Sequence, residues 1–207
     1  MRGYAAEERR VSLAAMRRLE GREGSFLGGY SCRAAASMMS AEATLGLMQE
    51  AAEHYRLVES YKATVPETRA VPWISVAGFQ LNWLHHQDEY GAAFSEVVRR
   101  HGTWGIPPAR GALHGQHFYV VQAWARVAIR LHAAEADRDA AFDALRDAAR
   151  DLSAAALVPT LKPHALLVRA NIMLLEGDAR GAWTTLDEAR AMTLDLDAPW
   201  LLLEDAR

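Results

Sequence analysis

Apolar positions recur three or four residues apart along most of the chain, and they nowhere alternate as a strand requires. In "FYVVQAWARVAIRL" (118–131), Phe118, Val121, Trp124, Ala128 and Leu131 collect on one stripe of a helix. "HALLVRANIMLL" repeats the pattern with Leu167, Ala170 and Leu174. Breaks fall at "GREG" (21–24), "TVPETRAVP" (64–72), "GTWGIPP" (102–108), "VPTLKP" (158–163), "EGD" (176–178) and "LDAP" (196–199). Proline at such places starts or stops a helix, because it lacks an N–H and disfavours helical dihedrals in the residue before it. The segments between the breaks predict an all-α chain of about nine helices, each roughly 12–20 residues long. The helical pattern is weakest over 21–45, where Gly28, Gly29 and several serines interrupt it.

A repeat lies within this pattern. "DRDAAFDALRDAA" begins at Asp137 and "DARGAWTTLDEA" at Asp178. Each has Ala four residues after the Asp (Ala141, Ala182), Leu eight after (Leu145, Leu186) and Ala eleven after (Ala148, Ala189). Aspartate caps a helix by accepting a hydrogen bond from the free N–H groups of the first turn. Each Asp is therefore expected to open the second helix of a hairpin, with small residues on the face that meets its partner. Gly177 suits a left-handed exit from the helix before. The stretch "LHHQDEYGAAF" (84–94) fits the same slot, since Asp88 is followed four residues on by Ala92. That copy is imperfect, with Glu96 and Arg99 where the later two have Leu and Ala.

These offsets resemble tetratricopeptide repeats. The tail "ALLVRANIMLLEGDARGAWTTLDEARAM" is similar to the divergent helical-hairpin regions that follow the catalytic domain in large bacterial serine/threonine kinases and nucleotide-binding signalling regulators. The likeness covers roughly residues 70 to 207, with 1–69 as divergent helices of one 1–207 domain. It departs from the family in its period, 41 residues between the two aspartates against the usual repeat of about 34. The chain has no glycine-rich phosphate loop and no kinase catalytic motif, so kinase activity does not carry over. The resemblance implies antiparallel hairpins stacked as a right-handed α-solenoid. It also implies a non-catalytic scaffold that presents a groove to a protein or peptide in bacterial signalling.

Composition narrows the remaining classes. Of the 207 residues 51% are apolar and 24% charged, which suits a packed globular chain. A formal charge of -3, with arginines scattered among acids, offers no basic stripe for nucleic acid. Cys32 is the only cysteine, so no internal disulfide or thiolate-rich zinc site forms, and a reducing cytoplasm is expected. The N-terminal stretch mixes arginines and acids and lacks a signal peptide's apolar run. The most apolar window, "AAASMMSAEATLGLM", is too short and too polar to cross a bilayer.

Chemistry-bearing residues are sparse. His85 and His86 are adjacent, so on a helix they point about 100° apart and do not share an ion. His114 and His117 have the better metal spacing, but no carboxylate lies near them in sequence and glycines flank them. Asp88/Glu89 and Glu135/Asp137 sit at turns, where acids cap helices. Ser31, Cys32 and Ser37 lack a nucleophile elbow. No cofactor is expected. Trp83, Trp124 and Trp183 are expected in the core, and Trp104, in a loop, as a contact residue. In the tetratricopeptide register, His85, Arg126, Arg130, His164 and Asn171 line the groove beside Trp104. Arg126 and Arg130, four apart, form a pair suited to a carboxylate. Competing readings are a small-ligand sensor, with Trp104 and Phe118 in an aromatic pocket, and a helical metalloenzyme using His114 and His117. The apolar C-terminal run Trp200–Leu203 is expected to fold back on the last hairpin or to mediate homo-oligomer contact.

Overall fold

Alanine and leucine give most segments strong helical preference, and the breaks fall where glycine and proline remove it. The computed structural model describes residues 2–20, 28–61, 70–110 and 115–196, and among them every regular element is helical. Nine α-helices appear among the described residues: α1 (Arg2–Leu19), α2 (Gly28–Leu45), α3 (Met48–Tyr61), α4 (Ala70–His86), α5 (Ala92–Thr103), α6 (Gln116–His132), α7 (Arg138–Ala155), α8 (Lys162–Leu175) and α9 (Ala179–Asp195). Single 3-10 turns occupy Pro108–Arg110, Glu135–Asp137 and Pro159–Leu161. Packing follows chain order, and contacts divide the chain into two units, Met1–Gly105 and Ile106–Arg207.

Three helices end in one motif. After α2, α4 and α8 the chain turns left-handed at Gly46 (φ 81°), Asp88 (φ 54°) and Gly177 (φ 86°). In each the next N–H reaches back five residues: Leu47 to Glu42 O (2.9 Å), Glu89 to Leu84 O (3.0 Å) and Asp178 to Met173 O (2.9 Å). Two carbonyls of the last turn are thereby satisfied before the chain reverses. Gly177 takes the conformation expected of it. Asp88 does not take its expected role: it closes α4, and α5 opens at Ala92 behind Gly91, whose N–H donates to Glu89 Oε1 at 3.0 Å.

In the first unit α2 is the hub, packing on α1, α3 and α4, while α5 packs on α4. Nearly every α2 side chain from Ser31 to Ala43 is buried. The core gathers Cys32, Ala35, Ala36, Val58, Tyr61, Trp73 and Val76, with Met16, Leu57, Phe79 and Trp104 at its margin. The segment with the weakest helical pattern is thus a regular helix over 28–45. A helix enclosed by three others has no polar stripe, so no 3.6-residue period shows.

In the second unit α6 packs on α7 and α8 on α9, with lighter contacts of α8 to α6 and α7. The two repeat copies seat differently. α7 buries Leu145 and Ala148, whereas α9 buries Ala182 and Ala189 and leaves Leu186 half-exposed. Small residues at the α8–α9 seam let the backbones approach, and the buried Thr185 and Thr193 hydroxyls donate to Gly181 O and Ala189 O within α9. Trp183, expected in the core, is 67% exposed, because it follows Ala182 by about 100° of helix turn and so leaves the buried face. Leu131 and Leu174 are also exposed, each in the final turn of its helix.

Candidate functional site

α6 carries the centre of the expected groove. Its sequence is apolar on almost every side, and Phe118, Val121, Ala123, Ala125 and Val127 are buried. Arg126 and Arg130 leave this apolar helix half-buried and one turn apart. Loss of water pushes the Arg126 guanidinium below its usual pKa. Arg130 lies over the Phe142 ring of α7, 5.5 Å from its centroid, and Arg146 stands 4.1 Å from the same ring. Arg146 also reaches Asp143 at 3.4 Å and Glu176 at 2.7 Å, which ties α7 to the turn after α8. Arg130 Nε is buried without a hydrogen-bond partner.

The other expected groove residues are placed as follows. His164 is buried, and its Nδ1 accepts from Trp124 Nε1 at 3.4 Å, a contact between α8 and α6. Trp124, expected in the core, is half-buried. Asn171 donates its amide to Leu167 O at 3.0 Å, one turn back on α8. His85 and Trp104 belong to the first unit. His85 Nδ1 meets Tyr90 Oη at 2.9 Å, and Tyr90 reaches Asp88 Oδ1 at 3.4 Å. Burial, reinforced by Asp88, pushes the Tyr90 hydroxyl up to about 12, so it keeps its proton at neutral pH. Trp104 is half-buried against the first unit's core and meets His101 edge-on at 5.5 Å. A loop position did not leave its ring in solvent, since the ring completes an apolar cluster.

Phe118, the other aromatic expected in a ligand pocket, is buried within the second unit at 2% exposure. An open cleft of about 440 Å³ lies instead along α8 and α9, lined by charged and hydroxyl side chains such as Arg169, Asp178, Arg180 and Glu188. Its lining is unlike the apolar walls of most small-molecule sites. His114 falls outside the described residues, and among the described residues no three His, Cys, Asp or Glu side chains group to hold a metal ion. No described helix is long and apolar enough to cross a membrane.

The first unit holds polar clusters that sequence reasoning missed. Glu42, on α2, has its side chain 1% exposed and pairs with Arg9 Nε of α1 at 3.1 Å and His54 Nδ1 of α3 at 2.8 Å. Ser37 donates to Glu8 at 2.8 Å and accepts from Ser12 at 2.9 Å, while burial pushes the Glu8 carboxyl up. Gln80 donates to Glu59 at 2.9 Å and accepts from Arg100 at 2.7 Å, whose guanidinium lies 5.6 Å from the Trp73 ring centre. These groups join neighbouring helices through hydrogen bonds between their side chains. Ser31 and Cys32 are buried in the same helix. The one signal for Glu42 was an acid inside the most apolar window of the chain. Comparison with known protein families, with characterised proteins and with solved structures finds no match for this chain.

Proposed function

We propose that the chain is a tetratricopeptide-like helical-repeat scaffold that binds an acidic peptide, or a peptide C-terminus, across α6 and α8 of the second unit. The observation that carries this reading is the packing order there. α6 pairs with α7, α8 pairs with α9, and the two leading helices α6 and α8 also touch. Stacked hairpins of that kind line a shared face with their first helices. Arg126 and Arg130 of α6, the latter beside the Phe142 ring of α7, supply two half-buried guanidiniums suited to a carboxylate. The spacing of Asp137 and Asp178 with their following Ala, Leu and Ala is the sequence feature that agrees with this reading.

Selection from a library of peptides with free C-termini tests the reading. Peptides rich in Asp or Glu, or dependent on the terminal carboxylate, are expected to be enriched. Arg126→Glu with Arg130→Glu is expected to weaken the selected peptide at least ~100-fold, the cost of two lost charge-assisted bonds. Unchanged helicity by circular dichroism excludes misfolding as the cause. Unchanged peptide affinity in the double variant overturns the assignment.

A further inference from the structure

The outward face of α9 carries an apolar and charged stripe that is palindromic. Trp183, Asp187, Arg190 and Leu194 follow one another at spacings of four, three and four, so they lie on one side of the helix. Trp183 is 67% and Leu194 61% exposed, and Asp187 and Arg190 are exposed between them. The buried seam of the helix, Ala182, Thr185, Ala189 and Thr193, lies on another side. Trp183 and Leu194 stand about 16 Å apart on one exposed helix face, with the oppositely charged Asp187 and Arg190 between them.

The order of residues identifies the occupant. A twofold axis through the middle of the stripe sets Trp183 of one copy against Leu194 of the other, and Asp187 against Arg190. A parallel arrangement would instead oppose Asp187 to Asp187 and Arg190 to Arg190, like charge against like. We infer that α9 is a homodimer interface, in which two copies of this chain pack their α9 helices antiparallel around a twofold axis. Two Trp–Leu contacts flank two Asp–Arg pairs, so every group on the stripe meets a complement. One helix face per copy buries less than the ~1,200 Å² of a standard stable complex, so the dimer is expected to dissociate at low micromolar concentration. This inference is independent of peptide binding at α6 and α8.

Sedimentation velocity over a concentration series tests it, with the full chain and three exposed-site variants. The wild type is expected to shift from monomer to dimer as concentration rises. Trp183→Ser is expected to weaken association at least ~10-fold. Asp187→Arg sets arginine against arginine across the axis, and Arg190→Asp sets aspartate against aspartate, so each variant alone is expected to be monomeric. Mixed in equal amounts, those two variants restore opposite charges at both pairs and are expected to form a heterodimer. A wild type that stays monomeric throughout overturns the proposal. So does a wild-type dimer that Trp183→Ser leaves intact, or a mixture that fails to associate.

Discussion

Glu42 of α2 and His54 of α3 meet at 2.8 Å, and Arg9 of α1 approaches the same carboxylate at 3.1 Å. One buried acid therefore joins three helices. Its own side chain is 1% exposed, while those of Arg9 and His54 keep 39% and 20%. Removing the acid leaves two groups that can rehydrate in part, so the loss falls below that of a fully buried pair. Glu42→Ala is expected to destabilise the first unit by about 2 kcal/mol, measured by urea unfolding. A variant as stable as the wild type would show that desolvation of Glu42 cancels what its partners return.

The left-handed turns give a contrast of opposite sign. Asp88 adopts φ 54° where Gly46 and Gly177 serve the same motif. A side chain in that region costs about 1 kcal/mol, so Asp88→Gly is expected to raise stability by roughly 0.5–1 kcal/mol. Gly177→Ala is expected to cost about 1 kcal/mol, and only from backbone strain, since an added Cβ there meets nothing within 4 Å. Thermal unfolding of the two variants checks both signs.

The two repeat aspartates are not equivalent. Asp178 Oδ1 accepts the Gly181 N–H at 2.9 Å, a side-chain cap on α9. Asp137 precedes α7 without such a bond. Asp178→Ala is therefore expected to cost about 1 kcal/mol and Asp137→Ala only a small part of that. Equal losses in denaturant titrations would contradict the difference in geometry.

His101 sets an acid limit. It is buried, and desolvation lowers its pKa from 6.5 to about 4. The unfolded chain binds this proton more readily, so the histidine's contribution to stability is full above pH 6.5 and falls as pH drops towards 4. At pH 5 the loss is about 2 kcal/mol relative to neutrality. His101→Phe, which retains the edge-on contact with Trp104, is expected to flatten the stability profile between pH 7 and 5. Parallel profiles for variant and wild type would exclude His101 as the source.

The sequence by itself determined where helices stop. Gly177 and Asp178 read correctly as an exit and a cap, because both act through hydrogen bonds within a few residues of themselves. The spacing of apolar side chains likewise carried the all-α character, since backbone periodicity is local. What a helix face meets is another matter. α2 lost its period because three helices enclose it, and Trp183 faces outward because the α8–α9 seam takes alanine and threonine. Asp88 and Asp178 have similar sequence surroundings, yet one closes a helix and the other opens one. On the candidate face, the arginine pair was legible from its spacing, but the Phe142 ring that engages Arg130 lies on another helix. Such partners are fixed only when tertiary packing removes water and brings distant residues together.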